Sequence, residues 1–205
     1  MAETPTTEKS GRSNGLAAER RAQIFEAATR VFARKGFHKA TVQEIADEAG
    51  MGKGTIYEYI KSKKDILFFA ISEVHARLFT EVEKLVKLNI KPETKLRRAI
   101  RIQLELIDQY HEATRTVIPE VEGMAQIDHE RIESLKRLYI GSFEPIYKQG
   151  VDQGAFKDVD AFLVMEIICD ACVLWGKSDT IRERCPDVKS YENFLVNMYL
   201  NGFLK

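Results

Sequence analysis

TVQEIADEAGMGKGTIYEYIKSK, residues Thr41 to Lys63, reads as two short helices separated by Gly50-Met51-Gly52. Val42, Ile45, Ala46 and Ala49 recur at helical spacing and give the first helix one apolar face. Thr41, with Glu44 three residues later, fits a capping box that starts this helix. Gly50 stands where the chain must leave the helix in a left-handed conformation, which costs glycine least. The second helix, about Lys53 to Ile60, turns Ile56 and Ile60 inward and leaves Lys53, Thr55, Tyr57, Glu58 and Tyr59 on other faces. Two short helices joined by a tight glycine turn form a helix-turn-helix, in which the second helix enters the DNA major groove.

The rest of the chain follows from this unit. Upstream, Ile24, Ala27, Ala28, Val31 and Phe32 predict a helix from Leu16 to Lys35 that stops at Gly36. Residues 1–15 hold almost nothing apolar and are expected to be a disordered basic arm, with Lys9 and Arg12 able to reach a phosphate. Downstream, Ser62-Lys63-Lys64-Asp65 is a second capping signal and opens a long helix to about Leu88. Further helices are expected at 93–110, 111–125 and 128–153, the last broken or kinked at Pro145. Residues 156–175 are apolar on more than one face and predict a helix buried on more than one side; a last helix follows at 190–203. The fold class is all-α with about nine helices. A three-helix domain carrying the helix-turn-helix is expected over 16–62, and a six-helix domain over 63–205.

Formal charges cancel over the 205 residues, but unevenly. Residues 1–64 hold 12 Lys and Arg against 8 Asp and Glu, and residues 65–205 hold 19 against 23. A basic end that coincides with the helix-turn-helix fits nucleic-acid contact at that end alone. No apolar run approaches a membrane span, and the N-terminus lacks a signal-peptide core. Three cysteines, an odd number, suggest a reducing cytoplasm rather than a disulfide framework.

The run A-x-x-A-G-(x)3-G-T-I-Y-x-Y-(x)2-S-K-x-x-I-L, Ala46 to Leu67, resembles the DNA-binding end of the TetR family of bacterial transcriptional regulators. The match spans about residues 17–70 and includes Phe32 and Lys35-Gly36-Phe37. Met51, Gly52 and Ile60 depart from the family's usual valine, serine and phenylalanine. The resemblance implies phosphate contacts at Thr41, Thr55, Tyr57, Tyr59 and Lys63, and groove contacts at Gln43, Lys53 and Gly54. Gln43 can pair with adenine, Lys53 can donate to guanine, and Gly54 allows close approach. The resemblance further implies a homodimer on a palindromic double-stranded operator, with Phe162, Met165, Ile168, Cys172, Phe194 and Met198 as candidate interface residues.

The resemblance implies that residues 63–205 are a ligand-binding and dimerisation domain, whose middle in the family encloses a small-molecule effector whose binding releases DNA. Leu104, Ile107, Val121, Met124, Tyr139, Phe143 and Trp175 are the candidate pocket residues. The pattern Tyr139, Phe143, Gly150, Gly154-Ala155-Phe156, Asp160 and Trp175 resembles members that control fatty-acid degradation and sense acyl-CoA; an aromatic or drug-like effector is the alternative. His111-Glu112 and His129-Glu130, with Glu120 and Glu122, could meet at an ion, but no local spacing fixes a geometry, and no metal or cofactor is assigned. Cys169-x-x-Cys172 lacks the βαβ context of a redox motif and reads as small buried residues. No nucleophile–base pair or phosphate loop points to an enzyme. The competing classes are an all-helical metal-binding enzyme built on the His and Glu residues, and an interaction module that does not bind DNA.

Overall fold

The computed structural model describes the backbone of residues 7–122 and 126–200, and the side chains of 19–115, 120 and 130–198. The described backbone is built of helices joined by turns, with no strand among the described residues, in two compact units that divide between Glu73 and Val74. Helix α4 (Lys63–Lys87) begins in the first and ends in the second.

The first unit is built on α1 (Thr7–Lys39), α2 (Val42–Glu48) and α3 (Lys53–Tyr59). Gly36 interrupts α1 with φ 72° and ψ 163°, a conformation open to glycine, so the helix turns where Lys35-Gly36-Phe37 predicts a stop. Helical backbone precedes Leu16, as far back as Thr7, where an arm is expected. Extending an existing helix needs no new nucleus, so polar residues can continue it. The side chains of Lys9 and Arg12 lie outside the described residues. The core is Ile24, Phe25, Val31, Phe32, Ile45, Ile56, Ile66 and Leu67, all essentially inaccessible.

The second unit follows with α5 (Pro92–Gln109), α6 (His111–Glu122), α7 (Gln126–Gly141), α8 (Glu144–Asp152), α9 (Ala161–Lys177), α10 (Asp179–Arg184) and α11 (Val188–Leu195), which continues as a π-helical turn (Val196–Leu200). Six helices were expected from Lys63 onward. The helix expected at 128–153 is two, because Pro145 sits in the first turn of α8, where its missing N–H costs nothing. The short α10 is capped by Ser178, whose Oγ accepts from the Ile181 N–H. Helix α9 starts at Ala161 on an Asp160 cap, later than the apolar run suggests. Phe156 lies instead in the preceding turn, its ring 2.1 Å from where a Cβ on Gly150 would stand. Only glycine lets the turn close there, which gives the Gly150 to Phe156 pattern a packing origin.

Three buried polar contacts fix this unit. Glu192, wholly buried on α11, accepts from Arg97 at 3.1 Å and from Arg101 at 2.7 and 3.1 Å. Lys95 donates to Val86 O at 2.8 Å, capping the end of α4, and to Gln149 at 2.9 Å. Tyr139 donates to Gln103 Oε1 at 3.0 Å, and Gln103 Nε2 donates to the Cys169 carbonyl at 3.3 Å. Buried polar groups of this kind are tolerated only when paired.

Candidate nucleic-acid interface

The turn between α2 and α3 is set by local chemistry. Thr41 Oγ1 accepts from Glu44 N at 3.2 Å, and Glu44 Oε2 accepts from Thr41 N at 3.0 Å, closing the capping box. At the other end Gly50 has φ 64°, Met51 N donates to Ala46 O at 2.9 Å, and Gly50 N donates to Asp47 O at 3.1 Å. These two bonds are a Schellman stop. Met51 is buried against it, which explains why an apolar residue follows the glycine. Arg30 and Arg34 pair with Glu48 at 2.7 and 2.5 Å, and Lys35 pairs with Glu44, so α2 is held on α1 by ions as well as packing. The hydrogen bond from Lys35 and those from Thr41 hold the Glu44 carboxyl below its ordinary range; Arg34 and then Arg30 do the same for Glu48.

The eight residues singled out from sequence divide by whether their polar groups are already spent. Thr41 is exposed, but its hydroxyl also donates to Glu44 at 3.1 Å. Gln43 is exposed and donates to Asp47 at 2.7 Å. Lys63 is half-buried: its ammonium donates to Phe37 O and His38 O, each at 2.8 Å, and sits 4.6 Å from the Phe37 ring centroid. This lysine binds the end of α1, and one of its three donors is left for anything else. The remaining five lie on α3. Lys53 and Tyr57 are exposed without partners, Thr55 and Tyr59 are half-buried with free hydroxyls, and a Cβ on Gly54 would meet nothing. With Ile56 and Ile60 buried below, Lys53, Gly54, Tyr57 and Glu58 form the outward arc of α3. Glu58 is turned outward as its spacing predicts, but it is not among the eight. A carboxylate on that arc can only accept, as from a cytosine amino group.

The dimer residues are placed differently from expectation. Met165, Ile168 and Cys172 are turned into the core of their own unit, with at most 2% exposure, and cannot face a partner. Phe162, Phe194 and Met198 are exposed. The apolar outer face of α9 is instead Phe162, Leu163, Ile167 and Leu174, exposed by 38, 58, 49 and 43%. Residues 163, 167 and 174 share one helical face. The helix is apolar all round, so periodicity alone does not tell its inner stripe from its outer one.

Of the candidate pocket residues, Leu104, Tyr139, Phe143 and Trp175 fall in the core of the second unit, with Ile107 packed against it; the side chain of Val121, and Met124, lie outside what the structure describes. Among the described residues no three His, Cys, Asp or Glu side chains could hold a metal. His111 Nδ1 lies 3.4 Å from Glu112 Oε1. The side chains of Glu122 and His129 lie outside the described residues. Burial pushes the Cys169 thiol up to about 12 and raises Cys172 as well, the opposite of a reactive pair.

Two family descriptions match this sequence. Residues 24–70 match bacterial regulatory proteins of the tetR family, and residues 89–175 match the C-terminal domain of tetracyclin repressor-like proteins. Among characterised proteins, the fatty acid metabolism regulator protein of Bacillus subtilis is 28% identical over 181 residues, covering 88% of this chain and 93% of that one. The HTH-type transcriptional repressor KstR2 of Mycobacterium tuberculosis is 27% identical over 158 residues, 76% of this chain and 79% of that one. Among solved structures, the regulator FadR from Bacillus subtilis in complex with stearoyl-CoA superposes with a TM-score of 0.76 at 23% identity, over 89% of this chain and 98% of that one. At that identity the superposition speaks for the fold alone.

Proposed function

Because this chain belongs to the TetR family of bacterial transcriptional regulators, we propose that it is a dimeric repressor that holds a palindromic operator through α3 and lets go when a fatty acyl-CoA binds its second unit. The observation that carries the DNA-binding half is the unspent face of α3. Lys53, Gly54 and Tyr57 stand outward, while Thr41, Gln43 and Lys63 do internal work. In this reading Lys53 reads a base edge, Gly54 admits the helix, and Thr55, Tyr57 and Tyr59 hold phosphates. One α3 reads only a few base pairs, and pairing two of them supplies the rest of the affinity. The outer stripe of α9 and the exposed Phe194 and Met198 supply the pairing surface.

The effector half is supported by likeness to a fatty acid metabolism regulator along 93% of that protein's length. Aliphatic and aromatic side chains around Leu104, Phe143 and Trp175 suit an acyl chain. The protein works by binding, without catalysis and without a metal or cofactor. Among the described residues no helix is long and apolar enough to cross a membrane, and the protein acts in the cytoplasm.

Selection of bound sequences from random duplex DNA tests the first half. A two-fold-symmetric consensus is expected, with release on adding palmitoyl-CoA. No enrichment at low salt would leave the interaction-module reading in its place, and enrichment that palmitoyl-CoA does not reverse would remove the acyl effector.

A further inference from the structure

Among the described residues, two polar atoms of the second unit are buried without a hydrogen-bond partner: Arg182 Nη1 and His111 Nε2. Such atoms are rare in folded proteins and call for an occupant. The two come to one corner. Ile107, His111 and Thr114 follow each other at spacings of four and three across the α5–α6 joint at Tyr110. A Cβ placed on Gly176 would lie 2.4 Å from Ile107 Cγ2 and 3.4 Å from Thr114 Cγ2. His111 stands between those two in the chain, beside the same end of α9. Arg182 arrives from α10. Its guanidinium carbon stands 4.1 Å above the centroid of Trp175, the residue before Gly176. Its Nη2 donates to Asp108 Oδ1 at 2.5 Å, three residues before His111.

The guanidinium is thus held in place. One face lies on the indole and one edge on Asp108, and the Arg115–Asp179 pair, at 2.6 and 2.8 Å, fastens α10 to α6 beside it. The Nη1 edge is the part left over. The Arg182 and His111 side chains keep 21 and 19% exposure, so the corner lies where the apolar core around Trp175 meets solvent. An amphiphile presents its oxygens at such a boundary and its chain to the core.

We propose that this corner binds the oxygen-bearing end of the effector: an acceptor oxygen takes a hydrogen bond from Arg182 Nη1 and lies against His111 Nε2. The inference rests on the reading of the second unit as an acyl-effector domain. The oxygen can belong to a carboxylate or thioester carbonyl next to the chain, or to a phosphate of the carrier. His111 Nε2 donates to it when that nitrogen carries a hydrogen, in the imidazolium or the neutral Nε2–H tautomer, and otherwise accepts from a protonated group.

Isothermal titration of the full-length protein with palmitate, palmitoyl-CoA and CoA alone tests this on wild type, R182Q, H111L and D108N, each checked for its fold by circular dichroism. R182Q and H111L are expected to lose ~10–100-fold in affinity, the range for one hydrogen bond to a charged group. D108N loosens the edge that holds the guanidinium and should weaken binding less than R182Q, which removes Nη1 itself. Loss on palmitate and palmitoyl-CoA, with CoA alone not binding, identifies the carboxyl or carbonyl oxygen. Binding of CoA alone, lost in R182Q, identifies a phosphate. If R182Q does not fold, H111L decides. Folded variants that bind all probes as wild type does would overturn the corner and leave the acyl reading intact. A wild-type protein that holds DNA but binds none of the three probes would overturn both.

Discussion

Replacing Lys63 by glutamine removes an ammonium that bonds Phe37 O and His38 O at 2.8 Å each and rests on the Phe37 ring. Hydrogen bonds from a charged donor contribute about 1.5–3 kcal/mol each. The group is half-exposed, so screening by water brings the pair to roughly 2–3 kcal/mol together. For a chain of 205 residues, where each kcal/mol moves the midpoint by ~2–4 °C, the expected loss in Tm is ~5–10 °C. Differential scanning calorimetry measures it. The same variant separates a strut from a phosphate ligand through the salt dependence of DNA affinity, because each phosphate contact contributes about 0.9 to the slope of log affinity on log salt. Below its melting point K63Q should keep the wild-type slope. A slope reduced by ~1.8, two contacts per dimer, with an unchanged Tm would refute the assignment. K53Q should do the reverse of the strut: weaker binding and altered sequence preference with no change in Tm.

Other outcomes follow from the packing. Gly150→Ala must displace the Phe156 ring now 2.1 Å from the new methyl, and should cost ~1–3 kcal/mol in urea unfolding, the usual range for an overpacked core. Leu163→Lys with Ile167→Lys puts two charges on the outer stripe of α9 and should yield a folded monomer by analytical ultracentrifugation, whereas Phe162→Ala alone should weaken the dimer only in part. Because burial holds the Cys169 thiol up to about 12, a disulfide reagent at pH 8 should modify half-buried Cys185 well before Cys169 or Cys172; above the unfolded thiol's ordinary range, folding loses the contribution of that protonated group progressively as pH rises toward the folded value.

The helix-turn-helix was legible because its signals are local. Thr41 and Glu44 are three residues apart, Gly50 marks a backbone conformation, and Ile56 and Ile60 mark one face of one turn. The hydrogen bonds of Lys63 to Phe37 and His38, 26 and 25 residues away, were not legible, because nothing in a lysine's own surroundings says where a long side chain will reach. Met165, Ile168 and Cys172 were assigned to the dimer face for a different reason. Helix α9 carries apolar residues on every side, and which stripe is inner is decided by α5 and α7, not by its own sequence. Arg182 on α10 and His111 on α6 have α7, α8 and α9 between them in the chain, and only packing around Gly176 brings their elements together. Ser178-Asp179 was a usable signal for α10, since a serine cap followed by an acidic first residue is an ordinary helix start.

The central claim is that one molecule couples two sites. Coupling is reciprocal, so the factor by which effector weakens operator binding must equal the factor by which operator weakens effector binding. The direct measurement is the pair of affinities on the same dimer: operator duplex with and without saturating palmitoyl-CoA, and palmitoyl-CoA with and without saturating operator. The account predicts two equal factors of at least ~5, the lower end of ordinary allosteric coupling. Operator and palmitoyl-CoA that bind the same dimer independently, each with an affinity the other does not change, would contradict it.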